Sequence, residues 1–219
     1  MRKFDYLQIG LALTGLFVFL VLAIGVYFHL PYINWIDHIG FVVIREPVSE
    51  ERTWFFRNIT RAGNPTWTAF VAIIAFIIAI IAKKYDIAVF LIVNVGIFGL
   101  GTMTVLKNFF QRPRPSIVHL VNEGGYSFPS GHALNSILLY GSLIILVHYY
   151  INNDSIRYTF LTLLSSLIIA IPMSRVYLGV HYLTDVLAGM ALGGFFLIMS
   201  KEFIFKYKTR EVFENAQNS

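Results

Sequence analysis

The sequence predicts an all-α, polytopic membrane protein: a six-transmembrane-helix bundle with an amphipathic interfacial segment between helices 1 and 2. Three observations predict it. Hydrophobic residues make up 57% of the chain and charged residues only 13%, against roughly 25% charged in a soluble domain, and the mean hydropathy is +0.67. Apolar surface on that scale needs lipid as its solvent. Six stretches approach the ~20 apolar residues that cross a bilayer core. No repeat, low-complexity tract or linker interrupts them, so residues 1–219 read as one membrane-embedded domain.

Taken in order, the first apolar run extends from Leu7 to Phe28 behind Arg2 and Lys3. A secretory signal has a core of only about 7–15 residues and a small-residue cleavage site. This run is longer, and Tyr27-Phe28-His29-Leu30 is a poor cleavage site, so it reads as a retained helix. The segment Pro31 to Pro65 interleaves Trp35, Ile36, Phe41, Val42, Ile44, Trp54, Phe55 and Ile59 with charges. That pattern fits one or two amphipathic helices in the interface, acting as a packing cap or as a lid that guides a headgroup. The remaining spans are Thr66 to Ala82, Ile87 to Val105, Ala133 to Tyr150, Ile156 to Met173 and Val186 to Ile204. They must be helices, because lipid offers the backbone no other partner. Gly189 and Gly193 form a small-xxx-small pair suited to close helix packing. Asn94 and Asn135 are expected to bond between helices. The polar tail from Lys206 to Ser219 reads as a frayed helix end.

The net charge is +5. In a membrane protein this points to anionic headgroups or an anionic substrate. No soluble basic domain is present, so nucleic acid is not an expected partner. The absence of cysteine excludes disulfides, thiolate metal sites and a cysteine nucleophile. Basic residues divide almost evenly between the two membrane faces. Arg2, Lys3, Lys206, Lys208 and Arg210 fall on one face, and Arg45, Arg52, Arg57 and Arg61 on the other. Because Lys107, Arg114 and Arg175 belong to motifs and so answer to a ligand, both termini are expected in the cytoplasm.

Three segments carry chemistry: Lys107 to Pro115, Tyr126 to His132, and Ser174 to Asp185. Alternating helices bring all three to one membrane face, although nothing in their selection required it. Arg114 and Arg175 offer guanidinium forks that match phosphate oxygens, and Lys107 adds a point charge. Ser130 and Gly131 stand where a helix begins, where free N–H groups and the dipole favour an anion. Together these residues can cradle a phosphoryl group. His181 and Asp185 are four apart, so they share a face if the sixth helix starts early. The carboxylate can then hold one ring N–H and leave the other nitrogen to attack phosphorus. His132 can protonate a leaving alkoxide and later activate water. A metal site would need clustered carboxylates, and only Asp185 and Glu123 lie near; no metal or cofactor is expected. Arg112 and Glu123 lie within the motif loops and can touch a headgroup.

These segments resemble the signature of the type 2 phosphatidic acid phosphatase family. It includes lipid phosphate phosphatases, bacterial phosphatidylglycerophosphate and undecaprenyl pyrophosphate phosphatases, and vanadium haloperoxidases. The family pattern falls on Lys107, Arg114 and Pro115, on Pro129 to His132, and on Ser174, Arg175, His181 and Asp185 without departure. The resemblance covers 107–185. It implies a phosphohistidine on His181, His132 as acid, and a site open to the extracytoplasmic side, in a multi-pass protein of a cell membrane such as the bacterial inner membrane. The expected activity is hydrolysis of a lipid phosphomonoester such as phosphatidylglycerophosphate or phosphatidic acid. The alternatives are undecaprenyl pyrophosphate hydrolysis and, in another class, lipid-phosphate transport without cleavage, which would not need the His181–Asp185 pair beside His132. The spanning helices speak against a soluble haloperoxidase.

Overall fold

The computed structural model describes the backbone of residues 6–217 and the side chains of residues 6–205. Arg2, Lys3 and the side chains of the tail from Lys206 onward, which enter the orientation argument, lie outside the described residues. Helix α1 (Tyr6–Tyr27) leads into α2 (Pro31–Gly40), a π-helical turn (Phe41–Arg45), α3 (Glu50–Ile59) and a 3-10 turn (Thr60–Gly63). Then come α4 (Pro65–Ile81), α5 (Tyr85–Leu91), a π-helical stretch (Ile92–Gly101) and α6 (Thr102–Phe110). The chain ends with α7 (Gly131–Tyr150), α8 (Asp154–Tyr177) and α9 (Leu183–Gln217).

Among the described residues, five helices are long and apolar enough to cross a membrane: α1, the continuous rod from Tyr85 to Phe110, α7, α8 and α9 to Phe205. The sixth expected span is divided. Helix α4 has 17 residues, which at 1.5 Å each reach about 25 Å, short of the ~30 Å hydrocarbon core. It qualifies only together with Glu50–Gly63, from which it bends by 47°. Lipid-facing positions are openly apolar: Phe17, Ile78 and Ile81 are all more than half exposed.

Where no water drives helices together, close approach of small residues matters most. Helix α7 is the central element, packed against α8, α9 and the π-helical stretch, while α1 packs on α9. A methyl group at Gly189 would lie 2.5 Å from the Ser130 carbonyl oxygen, and one at Gly193 would lie 3.1 Å from that of Leu134. The glycine pair on α9 therefore lets it press against the start of α7. Asn94 is fully buried, and its carboxamide oxygen accepts from Ser200 on α9 at 2.9 Å. Asn135 differs from expectation: among the described residues its buried carboxamide oxygen has no hydrogen-bond partner.

Helix boundaries differ from the hydropathy reading in a consistent direction. Helix α6 runs on to Phe110, so Lys107 sits on a helix. Helix α8 passes through Pro172 and ends at Tyr177, so Ser174 and Arg175 are helical as well. A backbone ladder can outlast the apolar side chains when the polar ones point into protein, and neighbouring helices re-satisfy what a proline frees. The interfacial segment does contain two short amphipathic helices. Helix α2 buries Ile33 and turns Trp35 outward, and α3 exposes Trp54. Ser49 caps α3 by accepting from the Arg52 N–H at 3.3 Å.

Candidate active site

All eight expected site residues converge at one end of the bundle, on the ends of α6, α7, α8 and α9 and their connecting loops. His181 lies two residues ahead of α9, on a turn shaped by Gly179 at φ +78°. Any side chain at Gly179 would also strike the Arg45 guanidinium, 2.3 Å from the ideal methyl position. Arg45 ties this turn down by donating to the Tyr177 and Val118 carbonyls at 2.9 and 2.8 Å.

Asp185 stands in the first turn of α9 and is fully buried. Its Oδ2 accepts from the Tyr182 N–H at 2.9 Å, the reach-back of a helix-start carboxylate. The same oxygen lies 3.4 Å from His181 Nδ1. At the far side of the ring, Nε2 lies 3.2 Å from Arg114 Nη1. A guanidinium can only donate, so Nε2 is the accepting nitrogen and Nδ1 carries the proton toward Asp185. The imidazole is thereby held as the tautomer whose lone pair faces the cations. Burial pushes its pKa from 6.5 down to about 4, against the pull of Asp185, and Arg175 and Arg114 push the same way. His181 is neutral at pH 7.

The cations fall into two groups. Arg175, 2% exposed, donates to Thr60 Oγ1 at 2.9 Å and is paired with the Glu123 carboxylate. Its Nε is buried with no partner among the described residues. Arg114 lies 3.6 Å from Glu123 and donates to the Val180 and Gly124 carbonyls at 2.6 and 2.8 Å. Burial alone would raise the Glu123 carboxyl, but Arg175, Arg114 and His181 draw it below its ordinary range. Lys107 and Glu123 line a cavity of about 430 Å³ together with His132 and His181. The wall of that cavity continues down the third span through Gly99, Leu100 and Met103.

Arg112 forms the second group. It donates to Asp185 Oδ1 at 2.5 Å, to Thr184 Oγ1 at 2.8 Å and to Asp37 Oδ2 at 2.6 Å. Asp37 Oδ1 in turn accepts from the Thr184 N–H at 2.9 Å and its hydroxyl at 2.7 Å. Sequence reasoning weighed Arg112 only as a headgroup contact and passed over Asp37. The missed signal was a carboxylate one turn beyond Ile33 on the buried face of an amphipathic helix.

His132 occupies the first turn of α7, with Nε2 3.0 Å from Asn64 Oδ1. The carboxamide oxygen accepts the ring proton, which leaves Nδ1 for the cavity. Asn64 was not singled out in the sequence. Ser130 is fully buried and caps α7, its Oγ accepting from the Ala133 N–H at 3.5 Å. Its own N–H donates to the Asp185 carbonyl at 2.9 Å. The hydroxyl oxygen thus caps α7, while the backbone N–H joins α7 to α9. Gly131 has only Met103 near its missing side chain, at 3.6 Å.

Both the sequence and the fold have counterparts among known proteins. Residues 86–208 match the PAP2 superfamily. The chain belongs to the PAP2 superfamily. It is 32% identical over 171 residues to phosphatidylglycerophosphatase B of Bacillus subtilis, covering 76% of this chain and 81% of that protein. A PAP2 relative from Porphyromonas gingivalis, lipid A 4'-phosphatase, is 29% identical over 58% of this chain and 57% of its own length. The crystal structure of the transmembrane PAP2-type phosphatidylglycerolphosphate phosphatase from Bacillus subtilis superposes with a TM-score of 0.74 at 25% identity. That match covers 89% of this chain and 96% of the other. Like these PAP2 proteins, the chain is a multi-pass membrane protein.

Proposed function

We propose that this protein hydrolyses the phosphomonoester of a glycerolipid phosphate, with phosphatidylglycerophosphate as the substrate that fits best, through a phosphohistidine on His181. The chain is an integral-membrane lipid phosphatase. The observation that carries the mechanism is the shared cavity: both imidazoles and Lys107 line one space whose wall runs from the cationic rim down a membrane-spanning helix. A phosphate can rest among Lys107, Arg114 and Arg175 while its lipid body stays in the bilayer.

In the first step the Nε2 lone pair of His181 attacks phosphorus. The P–N bond forms as the ester P–O bond breaks, and protonated His132 gives its proton to the leaving alkoxide. Asp185 holds the Nδ1–H and stabilises the positive charge that grows on the ring. In the second step His132 takes a proton from water, the resulting hydroxide attacks phosphorus, and the P–N bond breaks to release phosphate and restore Nε2. Fixed guanidinium and ammonium groups stabilise the equatorial oxygens in both steps. Among the described residues no group of three or more His, Asp or Glu side chains is arranged to hold a metal, and the cations present supply the charge that phosphoryl transfer needs.

We place the site on the extracytoplasmic face of a cell membrane such as the bacterial inner membrane, with both termini cytoplasmic. With the bent pair counted as one span, the six crossings put the two ends of the bundle on one face and the site on the other, and the motif role of Lys107, Arg114 and Arg175 favours the cytoplasm for the ends. Purified protein assayed on phosphatidylglycerophosphate, phosphatidic acid and undecaprenyl pyrophosphate tests the reading. The highest kcat/KM should fall on phosphatidylglycerophosphate, with activity surviving excess EDTA and inhibited by vanadate. No phosphate release from any of them would overturn it.

A further inference from the structure

Asn135 is a polar residue in the cavity that the proposed chemistry does not use. It is 5% exposed, and no hydrogen bond from the described residues reaches its Oδ1. A buried polar atom without a partner is rare enough to need a reason. Asn94, by contrast, is bonded at both ends of its carboxamide. The third span makes room for Asn135: a methyl group at Gly99 would lie 2.5 Å from Oδ1. Gly99 lies in the π-helical stretch, an irregularity that often marks functional positions in helices. Gly99, Asn135 and His132 all line the same cavity.

The position of Asn135 defines what it can read. It follows His132 by three residues on α7, so it lies on the same face about 4.5 Å further into the bundle. A lipid whose phosphate sits at the histidines must pass Asn135 with the first atoms after its scissile oxygen. A carboxamide offers both a donor and an acceptor, and so does a hydroxyl; an ester oxygen only accepts. In phosphatidylglycerophosphate the second carbon from the scissile oxygen bears a hydroxyl. In phosphatidic acid the equivalent carbon bears an acyl ester.

We infer that Asn135, housed against Gly99, is a specificity-determining subsite that binds the free hydroxyl of a glycerol spacer next to the scissile phosphate. The inference rests on the lipid phosphatase reading above. It is tested with three substrates of identical acyl chains: phosphatidylglycerophosphate, its analogue lacking the spacer hydroxyl, and phosphatidic acid. Wild-type kcat/KM should be about fivefold to tenfold higher for the hydroxylated spacer than for the deoxy analogue, the worth of one neutral hydrogen bond. In Asn135→Ala that preference should vanish, while kcat/KM on phosphatidic acid changes less than twofold. Equal wild-type rates on the two spacer substrates would overturn the inference while leaving the phosphatase reading intact, and this comparison needs no variant to fold. An equal loss on all three substrates in Asn135→Ala would assign the residue to packing and also overturn it. Failure of the wild type on every substrate would instead count against the function itself.

Discussion

The two charge clusters that flank His181 are built on opposite principles. On the Asp185 side, Arg112 is answered by two carboxylates and a hydroxyl; Asp185 and Thr184 are fully buried and Asp37 is half-buried. On the Nε2 side, Lys107, Arg114 and Arg175 share one carboxylate, Glu123, whose side chain is 29% exposed. The first cluster is closed: one cation faces two carboxylates, for a net charge of −1. It reaches from the interfacial helix α2 to the start of α9 and can hold an orientation. The second carries excess positive charge next to a cavity and can bind an anion. Positioning calls for complete pairing, because a buried unpaired charge is expensive. Binding calls for incomplete pairing, so that the substrate supplies the missing charge.

Several measurements can break or sharpen this contrast. His181→Ala removes the atom that both clusters serve, so phosphate release should fall by at least about 10⁴-fold with the protein still folded in detergent. Arg175→Ala takes a donor from the open cluster and should lower kcat/KM by about 10²–10³-fold. In the closed cluster, Arg112→Ala should lower stability by about 3–5 kcal/mol by stranding Asp185 and Asp37. Arg112→Lys should recover only part, since an ammonium cannot fork between two carboxylates. If Arg112→Ala instead raised KM alone with stability intact, the contrast would fail. Glu123→Gln removes the carboxylate that pairs with Arg114 and Arg175, so KM and the vanadate inhibition constant should both fall, by roughly twofold to fivefold for a partly exposed charge.

The last of these tests concerns pH. Histidine-labelled protein followed by NMR should show His181 titrating near 4 and not near 6.5. Between those values the unfolded chain binds the proton and the folded one does not, so stability falls as pH drops from 6.5 toward 4. The nucleophile stays neutral across that whole window. A midpoint near 6.5 would mean that the ring is less buried than the structure shows.

Much of this was legible in the sequence, for identifiable reasons. The spans follow from composition, and Lys107, Arg114, His132, Arg175, His181 and Asp185 stand in fixed local spacings that adjacent helices carry to one end. What was not legible depends on contacts across the chain. Asp37 meets Arg112 from 75 residues away, and Asn64 meets His132 from 68; no local pattern encodes either distance. The helical placement of Arg175 was hidden because hydropathy falls at Met173, whereas the backbone continues to Tyr177. Ser130 was legible as a helix start, where a serine caps with its hydroxyl oxygen. The π-helical stretch leaves no trace in periodicity.

The most direct test of the central claim is to trap the intermediate. Phosphatidylglycerophosphate labelled in its terminal phosphate, mixed with enzyme and quenched in alkali to preserve an acid-labile P–N bond, should leave label on the peptide containing His181. The label should form and decay at rates compatible with turnover, and it should be absent from His181→Ala. Rapid turnover with no label on that imidazole, or label on another residue, would contradict the account.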